Sequence, residues 1–289
     1  MRRVALTIFA VCVLLTPLSA AQNKQLTAAE VIDRIKANVG VPWTTPTVDT
    51  IKAGSPDTPV TGIAVTMMAT LDVLERAAAS GKNLIVTHEP TFYNHQDKTQ
   101  DLENQSDAVL AAKQQFIKDH NLVVWRFHDH WHARKPDGIL LGMTRALGWE
   151  QFQNPNNQNL FVFPEATLEN LASNIKQKLK IRALRVVGDP QLRVTQAAFL
   201  PGAAGSPRQI QMLERPDVEA LLIGETPEWE TVEYVADAVT EHKRKALIIL
   251  GHIPSEQAGM EECARWLKTF ITEAPIEFIP ASEPFWMPK

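Results

Sequence analysis

Apolar runs of strand length alternate with helix-length amphipathic segments along most of this chain, which restricts it to the α/β architectures. Thr70 stands before a helical pattern over 71–80 that Gly81 ends, and the apolar run NLIVT (83–87) follows as a buried strand. A helix over 106–120 leads into a strand over 122–127 (LVVWRF), and 138–147 is helical again. The polar break Asn154-Pro155-Asn156-Asn157 divides the chain into approximate lobes of 22–153 and 158–289. Beyond it, strands at 160–163, 183–187, 195–200, 219–223, 246–250 and 276–279 are interleaved with helices at 168–179, 231–242 and 256–270. The expectation is two α/β lobes with mixed or largely parallel sheets.

The first 21 residues carry a different signal. Arg2 and Arg3 precede an apolar run from Val4 to Leu15, and Ser19, Ala20 and Ala21 lead into Gln22. This is the pattern of a secretory signal peptide cleaved after Ala21, so the expected location is secreted or periplasmic. The run is too short for a membrane span, and no later segment is apolar enough for one. Cleavage would shift the formal charge from -4 to -6 and leave Cys263 as the one cysteine. An acidic chain has no basic footprint for nucleic acid, and one cysteine builds neither a disulfide nor a thiolate metal site. Cys263 shares a helical pattern with Trp266, Leu267 and Phe270, which reads as a buried core thiol.

Histidine placement carries the chemistry. Six of the eight histidines fall between residues 88 and 132. The strand NLIVT runs into His88-Glu89, LVVWRF runs into His128-Asp129-His130-Trp131-His132, and ALIIL runs into Gly251-His252-Ile253-Pro254-Ser255-Glu256. Ligands of open α/β sheets gather beyond the carboxyl ends of the strands, so three strands deliver imidazoles and carboxylates to one edge. That donor set suits zinc, iron, manganese or nickel. His128 and His132, four apart, share a face if the segment turns helically. Ser255 reads as an N-cap, which places Glu256 in the first helical turn.

At these residues the chain resembles the Nif-three-like family, also labelled GTP cyclohydrolase I type 2 or dinuclear-metal-centre hexameric protein. NLIVTHEPTFY resembles its strand followed by two adjacent His and a Pro, and GHIPSEQAGMEECARWL resembles its C-terminal Gly-His-x-x-x-Glu motif. HDHWHARKPDGILLGMTRALGW resembles its His-x-x-x-Asp segment, and LPGAAGS and ALLIGE its later Gly-rich loop and Gly-Glu turn. The resemblance covers most of the mature chain. It implies the ligand set His88, Glu89, His128, His132, His252 and Glu256 around two divalent ions. Glu89 stands where the family has His, and His132 where it has Asp. The exchanges are reciprocal, so the set keeps four imidazoles and two carboxylates. A carboxylate can bridge two metals and a neutral imidazole cannot, so Glu89 or Glu256 must bridge if the family's Asp does. The resemblance also implies a homo-oligomer, a ring-like hexamer with metal sites facing an internal cavity.

Two divalent ions fit a metal-dependent hydrolase that uses an activated water on a phosphoester, nucleotide or amide-type small molecule. Glu225, at the end of ALLIG, is a candidate to orient that water; Asp129 and His130 are candidates for partners behind the ligands or a general base. Two other readings remain open. One is a non-catalytic extracytoplasmic protein for metal binding, buffering or scaffolding. The other is a mononuclear hydrolase at His128-x-His130, which leaves His88 and His252 without a role. The loop PGAAGS lacks the Lys-Ser/Thr of a P-loop and is a weak phosphate signal.

Overall fold

The computed structural model describes residues 25–288, so the expected signal peptide lies outside the described residues. Helix α1 (Ala28–Asn38) opens on a capping box between Thr27 and Glu30. Strands β1 (Ile51–Ala53) and β2 (Ile63–Met68) follow, then α2 (Leu71–Ala79), whose first turn the Thr70 hydroxyl caps as the sequence predicts. Next come β3 (Leu84–Glu89), α3 (Gln100–Asn104), α4 (Ala108–Asp119), β4 (Val123–Arg126), α5 (Asp129–Ala133) and α6 (Gly138–Leu147). The polar break at 154–157 is a hairpin between β5 (Gln153–Asn154) and β6 (Asn157–Thr167). Then α7 (Leu168–Leu179), β7 (Arg185–Val187), β8 (Arg193–Leu200), α8 (Ser206–Glu214), β9 (Ala220–Ile223), α9 (Glu233–Thr240), β10 (Ala246–Ile249), α10 (His252–Leu267) and β11 (Ile276–Phe278) complete the chain.

The α/β expectation holds, with two mixed sheets. One has the order β1-β4-β3-β2-β11 and the other β5-β6-β8-β9-β10-β7. Each contains a parallel block: β4, β3, β2 and β11 in the first, β8, β9 and β10 in the second. Antiparallel strands flank these blocks. Strands β2, β3, β4, β9 and β10 are almost wholly buried, as strands covered on both faces must be. Strand β11 pairs with β2, so the C-terminus returns to the first sheet.

Helices α6 and α10 cross at two glycines, and α10 packs on β2 and β11. A Cβ on Gly142 would lie 2.3 Å from the Ala258 carbonyl oxygen, and one on Gly259 2.5 Å from the Ile139 Cα. Close backbone approach, not turn formation, is what these glycines supply. Trp131 is fully buried beside this crossing and its indole N–H donates to the Gly259 carbonyl at 3.3 Å. Cys263 is buried in α10, as expected, and burial pushes its thiol pKa up.

Inserting a side chain at the crossing must separate the helices. Gly259→Val is expected to destabilise the fold by about 2–3 kcal/mol, the ordinary penalty of overpacking, measured as a lowered urea midpoint.

Candidate metal centre

The carboxyl ends of both parallel blocks face one cleft. From the first sheet, β3 ends on His88 and Glu89, and the chain after β4 turns into α5 so that His128 and His132 lie one helical turn apart. The backbone N–H of His132 donates to the His128 carbonyl at 3.0 Å, the helical turn their shared face requires. From the second sheet, α10 follows β10 and carries His252 and Glu256 on successive turns. The helix begins at His252, one turn before the start at Glu256 behind a Ser255 cap that the sequence suggests, so Glu256 lies beyond its first turn. Gly251, at φ +91°, is its N-cap, because the Ser255 hydroxyl is engaged elsewhere. It donates to the His252 carbonyl at 2.7 Å and accepts the Gly202 N–H at 3.0 Å.

All six expected ligands meet. Glu89 Oε1 lies 3.5 Å from His128 Nε2 and 3.4 Å from His252 Nε2. Glu256 Oε2 lies 3.2 Å from His252 Nε2 and 3.8 Å from His88 Nε2, and Glu256 Oε1 lies 3.8 Å from His132 Nε2. The His88 ring centroid is 4.6 Å from that of His128 and 4.9 Å from that of His132. Two groupings, His88 with His128 and His132, and His88 with Glu89 and Glu256, bring donor atoms close enough to hold a cation.

The outward nitrogens explain the inward ones. Each Nδ1 faces an acceptor: the Phe127 carbonyl for His88 at 3.2 Å, Asp129 for His128 at 2.9 Å, Asp137 for His132 at 2.9 Å and Glu225 for His252 at 3.2 Å. A neutral imidazole that donates through Nδ1 presents its Nε2 lone pair to the interior, which is how metal-binding histidines are held. His88 Nε2, His252 Nε2 and Glu256 Oε2 are buried without a hydrogen-bond partner. The short contacts of His252 Nε2 are therefore charge proximity, not aligned hydrogen bonds. Buried polar atoms left in this state call for a partner, and a divalent cation suits this donor set.

The electrostatics show the same tension. Burial, then the neighbouring His128 and His132, push the His88 pKa well below the ordinary imidazole value. Burial also opposes charge on His252, but Glu225, Glu256 and Glu89 outweigh it and push that imidazole up to about 12. For His132, burial is outweighed by the Asp137 carboxylate, which raises its pKa. Burial raises Glu89, but His252, His128 and Arg126 together bring its pKa below the usual carboxylate value.

The catalytic candidates separate. Glu225 lines the cavity and its carboxylate holds His252. Asp129 stands behind His128, and its second oxygen accepts from the Thr47 hydroxyl at 2.8 Å and the Val48 N–H at 3.1 Å. Burial works against its charge, but His128 and Thr47 bring its pKa down to about 2. The structure does not bring His130 into the cluster. Its Nδ1 faces Asp49 at 2.7 Å, its Nε2 accepts the Thr44 N–H at 3.0 Å, and its ring stacks 3.6 Å from that of Trp43. Both nitrogens are used, which removes the geometric basis for a site at His128-x-His130. The loop PGAAGS serves the site differently from a phosphate cradle: a Cβ on Gly202 would lie 2.3 Å from Glu256 Oε1, so the bare glycine makes room for that carboxylate.

Three supporting residues were not singled out in the sequence. Asp49 accepts the N–H groups of His128, Asp129 and His130 at 2.6, 3.0 and 2.9 Å, fixing the start of α5. Asp137 holds His132 and also caps α6. Arg126 is fully buried at the end of β4, and its signal in the sequence is a lone cation inside an apolar run.

The cluster opens on a cavity of about 910 Å³. Lys113, Lys135 and Arg208 also line it. Lys113 is buried, donates to the Thr91 carbonyl at 2.6 Å, and has its pKa lowered by burial to about 8.

A family profile described as Duf34/NIF3 (NGG1p interacting factor 3) matches residues 23–284. The chain belongs to this family. It is 23% identical over 242 residues to a "GTP cyclohydrolase 1 type 2 homolog" of Chlamydia trachomatis, covering 81% of this chain and 90% of the relative. A protein of the same description from Clostridium acetobutylicum is 24% identical over 217 residues, 71% of this chain and 76% of the relative. The Bacillus cereus protein related to NIF3 superposes with a TM-score of 0.72 at 13% identity, over 91% of this chain and 99% of that one. A Staphylococcus aureus hypothetical protein superposes with a TM-score of 0.70 at 16% identity and the same coverage. These structures establish the NIF3 fold.

Two measurements check the site. Gly202→Ala is expected to displace Glu256 and weaken zinc binding at least about tenfold in calorimetric titration, and Asp137→Asn to weaken it about ten- to a hundredfold through His132. Lys113 gives a pH signature. Its folded pKa of about 8 lies below the ordinary 10.5, so its protonation opposes folding below pH 8 and that penalty is relieved as pH rises from 8 to 10.5. Stability relative to Lys113→Met should therefore rise across that window in urea titrations.

Proposed function

We propose that this chain is an exported metal-dependent hydrolase that holds two divalent ions, zinc, iron, manganese or nickel, and acts on a small anionic substrate. The observation that carries this reading is the convergence of four Nε2 atoms and two carboxylates, each imidazole backed through Nδ1, at the wall of an open cavity. His88, Glu89, His128, His132, His252 and Glu256 are the ligands. Divalent ions, when bound, supply Lewis acidity and a lowered pKa for a coordinated water.

The remaining chemistry belongs to the chain. Glu225 keeps His252 oriented and lines the cavity, so it is the residue placed to steer a water. Lys135 and Arg208 are exposed cavity residues, and Lys113 is a buried one. Together they favour a phosphoester, nucleotide or other anion over a neutral substrate. The description of the chlamydial and clostridial relatives as GTP cyclohydrolase 1 type 2 homologs is compatible with a nucleotide. The signal-like N-terminus supports a secreted or periplasmic location, and the resemblance supports a homo-oligomer, a hexamer in its family form. Among the described residues, no helix is long and apolar enough to cross a membrane.

The test is turnover. Protein loaded with two ions per chain is expected to hydrolyse at least one member of a panel of phosphoesters, nucleotides and amides. A chelator should abolish the activity, and His252→Ala should lower it at least about a hundredfold. Tight binding of two ions with no turnover on the panel would overturn the hydrolase reading in favour of metal holding.

A further inference from the structure

We propose that Arg126 is a positioning residue that fixes Glu89 so that one oxygen, Oε1, is offered to a divalent cation. The inference rests on the metal-centre reading above and concerns how this chain aims one of its ligands.

Arg126 ends β4 opposite Thr87 of β3 and is fully buried. Its Nε donates to the His88 carbonyl at 3.0 Å and its Nη1 to the His95 carbonyl at 2.6 Å. Its Nη2 donates to Glu89 Oε2 at 3.3 Å, and Asp97 Oδ2 stands 3.8 Å from Nη1. A buried guanidinium needs this density of acceptors, because an uncompensated charge at such depth is strongly unfavourable. The two oxygens of Glu89 are thereby made unequal. Oε2 is turned back to the guanidinium, while Oε1 lies between His128 Nε2 at 3.5 Å and His252 Nε2 at 3.4 Å.

A free carboxylate can rotate and chelate a cation through both oxygens. One whose Oε2 accepts from a planar guanidinium has its rotation restrained and one lone pair of that oxygen occupied, which favours ligation through Oε1. Arg126 does not line the cavity, so it acts on the site through Glu89. The same guanidinium holds the carbonyls on either side of Glu89, which ties the 88–95 segment to β4 and removes backbone slack from the ligand.

The test uses metal-free full chain titrated with cobalt(II) alone, read by calorimetry and by the visible spectrum of the bound ion, which reports coordination geometry. Arg126→Lys is expected to lower cobalt affinity about ten- to a hundredfold and to alter the spectrum. In a Glu89→Ala background the same substitution should cost clearly less, leaving only what the hold on the His88 carbonyl contributes, because the carboxylate it positions is gone. Glu89→Gln gives a second arm that leaves Arg126 intact. The guanidinium should claim the amide oxygen and turn the amide nitrogen, which cannot ligate, toward the cation. Glu89→Gln should then match Glu89→Ala within about twofold.

The proposal is overturned if Arg126→Lys weakens binding equally in both backgrounds, or if Glu89→Gln binds cobalt clearly tighter than Glu89→Ala. Should Arg126→Lys fail to fold, the comparison of the two Glu89 variants decides. If the unaltered protein takes up no cobalt, the metal-centre reading itself fails and this inference falls with it.

Discussion

The Glu256 carboxylate is the group on which the arrangement depends. It is almost fully buried, and the groups around it come from four places in the chain: His88 from β3, His132 from α5, Gly202 from the loop after β8, and His252 from one turn earlier in its own helix. A carboxylate in that position is tolerated only if cations or donors surround it. The two sheets are thus joined at their parallel ends by charge as well as by the glycine-to-glycine crossing of α6 and α10. Remove the charge compensation and the interior holds an acid it cannot solvate. Supply a divalent ion and the orphaned nitrogens and oxygens gain a common partner.

The outer ring of acceptors decides what the inner ring can do. Three of the four imidazoles are backed by carboxylates and one by a carbonyl. A carboxylate behind an imidazole raises its basicity and fixes its tautomer. His88 has only a carbonyl behind it, and full burial drives its pKa well below the ordinary imidazole value. The site therefore sets a neutral-leaning donor at His88 against raised imidazoles at His132 and His252, and a cation would have to displace the proton that Glu225, Glu256 and Glu89 favour on His252.

Much of this was readable in the sequence because the relevant strands announce their own ends. β3, β4 and β10 are apolar runs that stop on or shortly before histidine, and the parallel α/β rule says where such ends meet. β2 is equally apolar but ends in Met68-Ala69-Thr70, with no chemistry to mark it, and a strand buried on both faces lacks the alternation that identifies strands. Asp49 was out of reach for a different reason. It caps α5 from 79 positions away, and nothing in a lone loop aspartate tells which helix it will serve. Ser255 has the composition of an N-cap, yet tertiary contact with Gly202 outcompetes the local role.

The return of the C-terminus to the first sheet sets the order in which a nascent chain can finish itself. All strands of the second sheet lie in one uninterrupted stretch, from 153 to 249, whereas the first sheet waits for β11. Until β11 arrives, β2 has an open edge with unpaired backbone groups. The last candidate ligands, His252 and Glu256, come from the same late segment. A chain stopped just before it carries four of the six candidate ligands and a complete second sheet, but not a sealed first sheet. An interrupted chain would keep the donors His88, His128 and His132 but lack the pair on α10, and its open β2 edge is the kind of surface along which unfinished chains associate.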